Sequence, residues 1–129
     1  MSTTLVPDLL WENGRFVPER ALVINGDRIQ AIVPAAQAGP DAQRLPRRAL
    51  MPGFVNAHSH AFQRLIRGRT QWRPVEDRSA DFWSWREEMY RAALMLSPDE
   101  VEAVSAFCFM EMLKAGYTTV GEFHYLHND

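Results

Sequence analysis

Met51-Pro52-Gly53-Phe54-Val55-Asn56-Ala57-His58-Ser59-His60 begins as an apolar run and ends in two histidines. Counted from Ala49, the run has no polar face before Asn56, and such a segment suits a strand buried on both faces of a parallel sheet. Pro52 and Gly53 fit an entry or bend better than the middle of a ladder, so the strand proper is predicted over 53–57. Residues two apart on a strand project to the same face. His58 and His60 can therefore offer two imidazoles to one ion, provided the chain stays extended through them. Neutral imidazole is a good ligand for zinc and related divalent metals, and the carboxyl end of a parallel strand is where α/β folds build their sites. A bare His-x-His is equally what two surface histidines at a strand end look like, so the surrounding segments have to decide.

On the C-terminal side, 61–67 can form a short helix ending near Gly68, and the polar stretch 69–80, broken by Pro74, reads as a loop. Asp81 can cap a helix over 82–95. Ser97-Pro98-Asp99-Glu100 is a strong helix start, with Ser97 as cap, Pro98 in the first turn and Glu100 completing a capping box. That helix is predicted to run through Val101, Val104, Cys108 and Leu113 to Gly116, and its apolar residues on more than one side predict that it is well buried. Cys108 reads as buried, unreactive packing. Residues 118–125 read as a second strand, with Glu122 and His124 on one face and His127 and Asp129 in a loop beyond. Strand, helices, strand is the order that forces a parallel sheet. The chain stops four residues after that strand, which is expected of a truncated chain.

On the N-terminal side, 9–12 and 15–17 flank Asn13-Gly14, and 21–24 and 28–33 flank Asn25-Gly26-Asp27. Both are tight-hairpin signals, so a small antiparallel sheet is predicted. Residues 34–48, with Pro34, Gly39, Pro40 and Pro46, read as a loop or linker. The expected division is therefore 1–48, a small sheet and linker, and 49–129, a first βαβ portion. The 129 residues are 47% hydrophobic and carry a net charge of −2. That is a globular composition with no footprint of a nucleic-acid or membrane-surface partner. The single cysteine allows no intrachain disulfide, and the start, MSTTLVPD, lacks the basic and apolar regions of a signal peptide. No apolar run reaches the roughly 18 residues of a membrane helix, and a cytoplasmic protein is expected.

The string Met51 to His60 resembles the first barrel strand of the amidohydrolase superfamily, in which Pro-Gly opens an apolar strand and His-x-His closes it. Three further blocks narrow the resemblance: 58–64 (HSHAFQR), 82–90 (FWSWREEMY) and 111–125 (EMLKAGYTTVGEFHY). Together they are similar to the formimidoylglutamate deiminase branch. The resemblance implies an α/β fold, the N-terminal part of a (β/α)8 barrel preceded by a small antiparallel β-sandwich portion. It implies one zinc or other divalent metal per active site, held in part by His58 and His60. The reaction it implies converts N-formimidoyl-L-glutamate and water into N-formyl-L-glutamate and ammonia, in histidine degradation. It further implies a small-molecule substrate bearing carboxylates, and possible assembly of the parent as a homodimer.

By the same resemblance, Gln63, Arg86 and Tyr125 match substrate-contacting positions. Arg86 can hold a carboxylate through its planar fork of donors, Gln63 can hydrogen-bond substrate near the metal, and Tyr125 offers a phenol. Without the resemblance, Arg86 and Gln63 read as ordinary helix residues and Tyr125 as packing. His124 is expected to support or line the pocket. Phe82, Trp83 and Trp85 are expected to pack the helix, part of the group walling the pocket. The general acid and base, a third histidine ligand and an aspartate ligand are expected from later strands, beyond residue 129, so this chain alone is expected to be inactive. Two alternatives stay open: a deaminase of the same superfamily acting on a heterocyclic ring, and a non-catalytic truncated remnant.

Overall fold

The computed structural model describes residues 1–70, 81–124 and 126. It divides into two compact units, Met1–Pro52 and Gly53–Asp129.

The first unit is a five-stranded sheet. β1 (Ser2–Glu12) and β2 (Arg15–Pro18) pair antiparallel down to Glu12↔Arg15, leaving Asn13-Gly14 as a two-residue turn. Both turn residues have positive φ, 51° and 81°, the backbone that matches strand twist in a tight hairpin. β3 (Arg20–Asn25) and β4 (Arg28–Pro34) form the second hairpin, where Gly26 takes φ 62°. Arg20 donates to both carboxylate oxygens of Glu12, at 2.8 and 2.6 Å.

Two features differ from expectation. β1 starts at Ser2 rather than Leu9, because Ser2–Leu5 pair with Leu22–Asn25 of β3. The segment 34–48, expected as loop or linker, contains most of β5 (Gln43–Leu50), which runs parallel to β1. The sheet is thus mixed rather than purely antiparallel, and Ala49 and Leu50 belong to it rather than to the following strand. The β1·β5 register shifts between Pro7 and Leu9, and such irregularities are where strands tolerate proline.

In the second unit, β6 (Phe54–Ser59) and β7 (Tyr117–Glu122) pair in parallel. Between them come a 3₁₀ segment over Ala61–Ile66, α1 (Phe82–Met95) and α2 (Pro98–Lys114). α1 is capped by Asp81, whose carboxylate accepts from the amides of Trp83 and Ser84 at 2.9 and 3.0 Å. α2 carries the expected capping box: the Glu100 carboxylate accepts from the Ser97 amide at 2.8 Å while Ser97 Oγ accepts from the Glu100 amide. Its end is marked by Gly116 at φ 92°, where other residues are strained. The core joins Phe62 and Ile66 of the 3₁₀ segment to Met89 and Ala92 of α1, with Val104 of α2 against them. Arg64 anchors the segment to α2 through two hydrogen bonds to Glu111, at 2.5 and 3.2 Å, with its guanidinium 5.0 Å over the Phe107 ring.

α2 is not well buried, contrary to its sequence pattern. Only Ser105 is buried, while Phe107, Met110 and Leu113 are exposed. Its neighbours among the described residues, Ala61–Ile66 and β7, cover one side, and its second apolar side meets solvent. Cys108 is correspondingly half-buried rather than buried, and desolvation still raises its thiol pKa.

The β6·β7 pairing rests on one close approach. A Cβ built at Gly53 would lie 2.1 Å from Thr118 Oγ1 and 2.7 Å from Thr118 Cβ. Thr118 is β-branched and stiff, so Gly53→Ala must push the strands apart. We expect a loss of about 1–3 kcal/mol, the cost of forcing an extra methyl into a filled space, read as a lower urea midpoint of the full protein. An unchanged midpoint would show that the contact is not tight in solution.

Candidate metal centre and substrate cleft

β6 is two residues longer than the predicted 53–57 at its C-terminal end and delivers His58 inside the strand, with His60 one residue past it. His60 keeps an extended φ of −133°, so the two rings meet, centroids 4.8 Å apart and edge to face. The strand end is pinned on both sides. The Asn56 side-chain oxygen accepts from the His58 amide at 3.2 Å, and Phe123 N–H donates to the Ser59 carbonyl at 3.0 Å.

His60 Nδ1 lies 3.1 Å from the Phe123 carbonyl oxygen. A carbonyl can only accept, so this bond requires the proton on Nδ1, and in the neutral ring the lone pair then sits on Nε2. That is the arrangement in which metal-binding histidines are usually held.

Behind the histidines, Glu122 ends β7 with its side chain 9% exposed. Its Oε1 accepts from the Ala61 amide at 2.7 Å, directly after His60, and its Oε2 is buried with no hydrogen-bond partner among the described residues. β7 closes at Glu122, so His124 lies two residues past the strand end. His124 Nδ1 lies 3.9 Å from Glu122 Oε1.

An open cleft of about 680 Å³ lies over the histidines. Its floor is His58, Ser59 and His60, and Gln63 comes from the 3₁₀ segment. Phe82, Trp85, Arg86 and Met89 of α1 supply the wall. Four of the residues singled out from sequence thus come together in one place: His58, His60, Gln63 and Arg86. The Gln63 amide donates to Met89 Sδ at 3.3 Å. His124 does not line the cleft. Tyr125, His127 and Asp129 lie outside the described residues, as do residues 71–80 of the expected loop. Among the described residues, no third histidine, cysteine, aspartate or glutamate gathers with the pair in a metal-binding group.

Arg86 has neutral company. Its Nε and one Nη2 hydrogen reach the Tyr90 hydroxyl, at 3.4 and 3.1 Å, and its guanidinium lies 5.6 Å over the Trp83 ring and 5.1 Å over the Tyr90 ring. Among the described residues it pairs with no carboxylate, whereas Arg91 on the same helix pairs with Glu88. Tyr90 was not anticipated as part of the site. The signal was present, since Arg86 and Tyr90 are four apart on a helix and such pairs face each other.

Known proteins resemble this chain over most of its length. The family model described as "Amidohydrolase family" matches residues 49–129. Formimidoylglutamate deiminase of Pseudomonas aeruginosa is 42% identical over 106 residues, which cover 82% of this chain and 23% of that protein. The 8-oxoguanine deaminase of the same organism is 32% identical, covering 81% of this chain and 23% of its own length. A crystal structure of an amidohydrolase from Brucella melitensis superposes with a TM-score of 0.84 at 37% identity, covering 98% of this chain and 28% of that one. The chain therefore spans about a quarter of the length of the curated relatives it matches.

Proposed function

Because this chain belongs to the amidohydrolase family, we propose that the protein carrying it is a metal-dependent deiminase that hydrolyses N-formimidoyl-L-glutamate to N-formyl-L-glutamate and ammonia. The observation that carries the proposal is Arg86: a half-buried residue whose guanidinium has no carboxylate partner among the described residues, in the wall of the cleft that has His58 and His60 as its floor. A cation left unneutralised beside a cleft is suited to an anionic ligand, and the proposed substrate bears carboxylates. The 42% identity to formimidoylglutamate deiminase supports the same choice.

In this reading His58 and His60 hold a divalent cation, zinc by preference of the imidazole donors. When bound, such a cation supplies Lewis-acid activation of water near neutral pH. Arg86 fixes a substrate carboxylate, and Gln63 hydrogen-bonds substrate beside the metal. Tyr125 is assigned to the substrate only by its match to the family pattern. Catalytic zinc generally takes three protein ligands, so the pair is an incomplete centre and the 129-residue chain alone is expected to be inactive. A homodimeric, cytoplasmic parent belongs to the same proposal.

A second reading, deamination of a heterocyclic ring, is favoured by the aromatic wall and by the similarity to 8-oxoguanine deaminase. Phe82 and Trp85, ring centroids 5.6 Å apart, offer faces to a flat ligand. Ammonia release by the full, metal-loaded protein separates the two. N-formimidoyl-L-glutamate should be preferred over 8-oxoguanine and adenine nucleosides by at least about 10-fold in kcat/KM, the scale of a charge-assisted contact that a neutral ring does not make. Preference for a ring would replace the first reading with the second.

A further inference from the structure

Trp83, Arg86 and Tyr90 follow one face of α1 at spacings of three and four. The phenol oxygen of Tyr90 takes the Nε–H of Arg86 and one N–H of Nη2, at 3.4 and 3.1 Å. A guanidinium has five N–H donors in a rigid fork. Once that edge is taken, the other Nη2 hydrogen and both Nη1 hydrogens remain, and they include the parallel end-on pair that matches a carboxylate. The Trp83 and Tyr90 rings, 5.6 and 5.1 Å from Arg86 Cζ, stabilise the cation without cancelling its charge. The contrast with Arg20, Arg64 and Arg91 is direct, since each of those is paired with a carboxylate.

We propose that Tyr90 is a positioning residue of the substrate site: it orients the Arg86 guanidinium so that the Nη1/Nη2 end faces the cleft and receives a substrate carboxylate. The inference rests on the reading of Arg86 as the carboxylate holder. Tyr90 does not touch the substrate; it acts by removing the rotamers in which the fork would present its side edge. Neighbouring Glu87 and Glu88 do not compete for the guanidinium: Glu88 pairs with Arg91, and adjacent helix residues diverge from one another.

The test is Tyr90→Phe in the full protein, which keeps the ring and deletes the acceptor oxygen. KM for N-formimidoyl-L-glutamate should rise roughly five- to tenfold, the scale of one ordinary hydrogen bond, since the carboxylate contact itself is weakened and not removed, with kcat within about twofold. In the Arg86→Met background the same change should have no further effect, because coupled residues are not additive. The phenol is on an exposed residue, so the melting temperature should not move. Should Tyr90→Phe fold poorly, Tyr90→Gln, which retains an acceptor oxygen, should hold KM nearer to wild type than Tyr90→Leu does. An unchanged KM in Tyr90→Phe, full additivity with Arg86→Met, or the reverse order of Gln and Leu overturns the inference alone. A wild-type protein inactive on this substrate overturns the proposed function and this inference with it.

Discussion

Replacement of His60 by alanine in the full protein is expected to abolish stable metal binding and to lower kcat/KM by more than about 1,000-fold, well beyond the 10–100-fold that loss of an outer partner of a metal site costs. The size follows from how completely the fold specifies that ring. β6 carries the chain extended to the point where the imidazole meets His58 at 4.8 Å between centroids. The Phe123 carbonyl then selects the tautomer by accepting a hydrogen bond from Nδ1–H, and Glu122 holds the next amide, that of Ala61, at 2.7 Å. Alanine leaves β6 and the Glu122–Ala61 bond in place and removes the imidazole, with both its metal-binding nitrogen and its hydrogen bond to Phe123. Metal content by plasma emission, set beside ammonia release, reads both consequences. Retained stoichiometric metal with lost activity would show that His60 acts on substrate rather than on the ion.

Replacement of Arg86 by methionine should raise KM for N-formimidoyl-L-glutamate by about 10–100-fold with little change in kcat. A charge-assisted hydrogen bond contributes about 1.5–3 kcal/mol, and each 1.4 kcal/mol is a factor of ten. Methionine keeps an unbranched stem against Trp83 and Tyr90, so packing loss does not enter the comparison. An uncharged amide analogue of the substrate should bind the variant and the wild type alike. Equal losses on acid and amide would assign Arg86 to the helix rather than to the ligand.

The parts of the fold that were legible in the sequence are those written in local chemistry. The caps at Asp81 and Ser97, the positive-φ turns at Asn13-Gly14 and Gly116, and the His58–His60 alternation each depend on residues within a few positions of one another. β5 was not legible, because Gln43–Leu50 pairs with β1 mainly through its backbone while most of its side chains face solvent. Its proline and arginines therefore looked like a linker. The early start of β1 was hidden for a related reason: Ser2–Leu5 become a strand only because Leu22–Asn25 lie alongside.

α2 shows the opposite failure. Its apolar residues on two sides promised burial, yet the described residues cover only one side. A pattern records what a helix can bury, not which neighbours are present to bury it. At the site, the histidines stood out by residue type and Arg86 only through the family resemblance, whereas Tyr90 required knowing that Arg86 pairs with no acid among the described residues. That is a fact about partners in space rather than about spacing alone.

Anomalous diffraction at the zinc edge from crystals of the full, zinc-loaded protein addresses the metal centre itself. One ion is expected with the ring nitrogens of both His58 and His60 at roughly 2.0–2.1 Å, the His60 bond being made through Nε2. A zinc bound by neither histidine, or by only one of them, would contradict the assignment of this strand end as part of a metal centre.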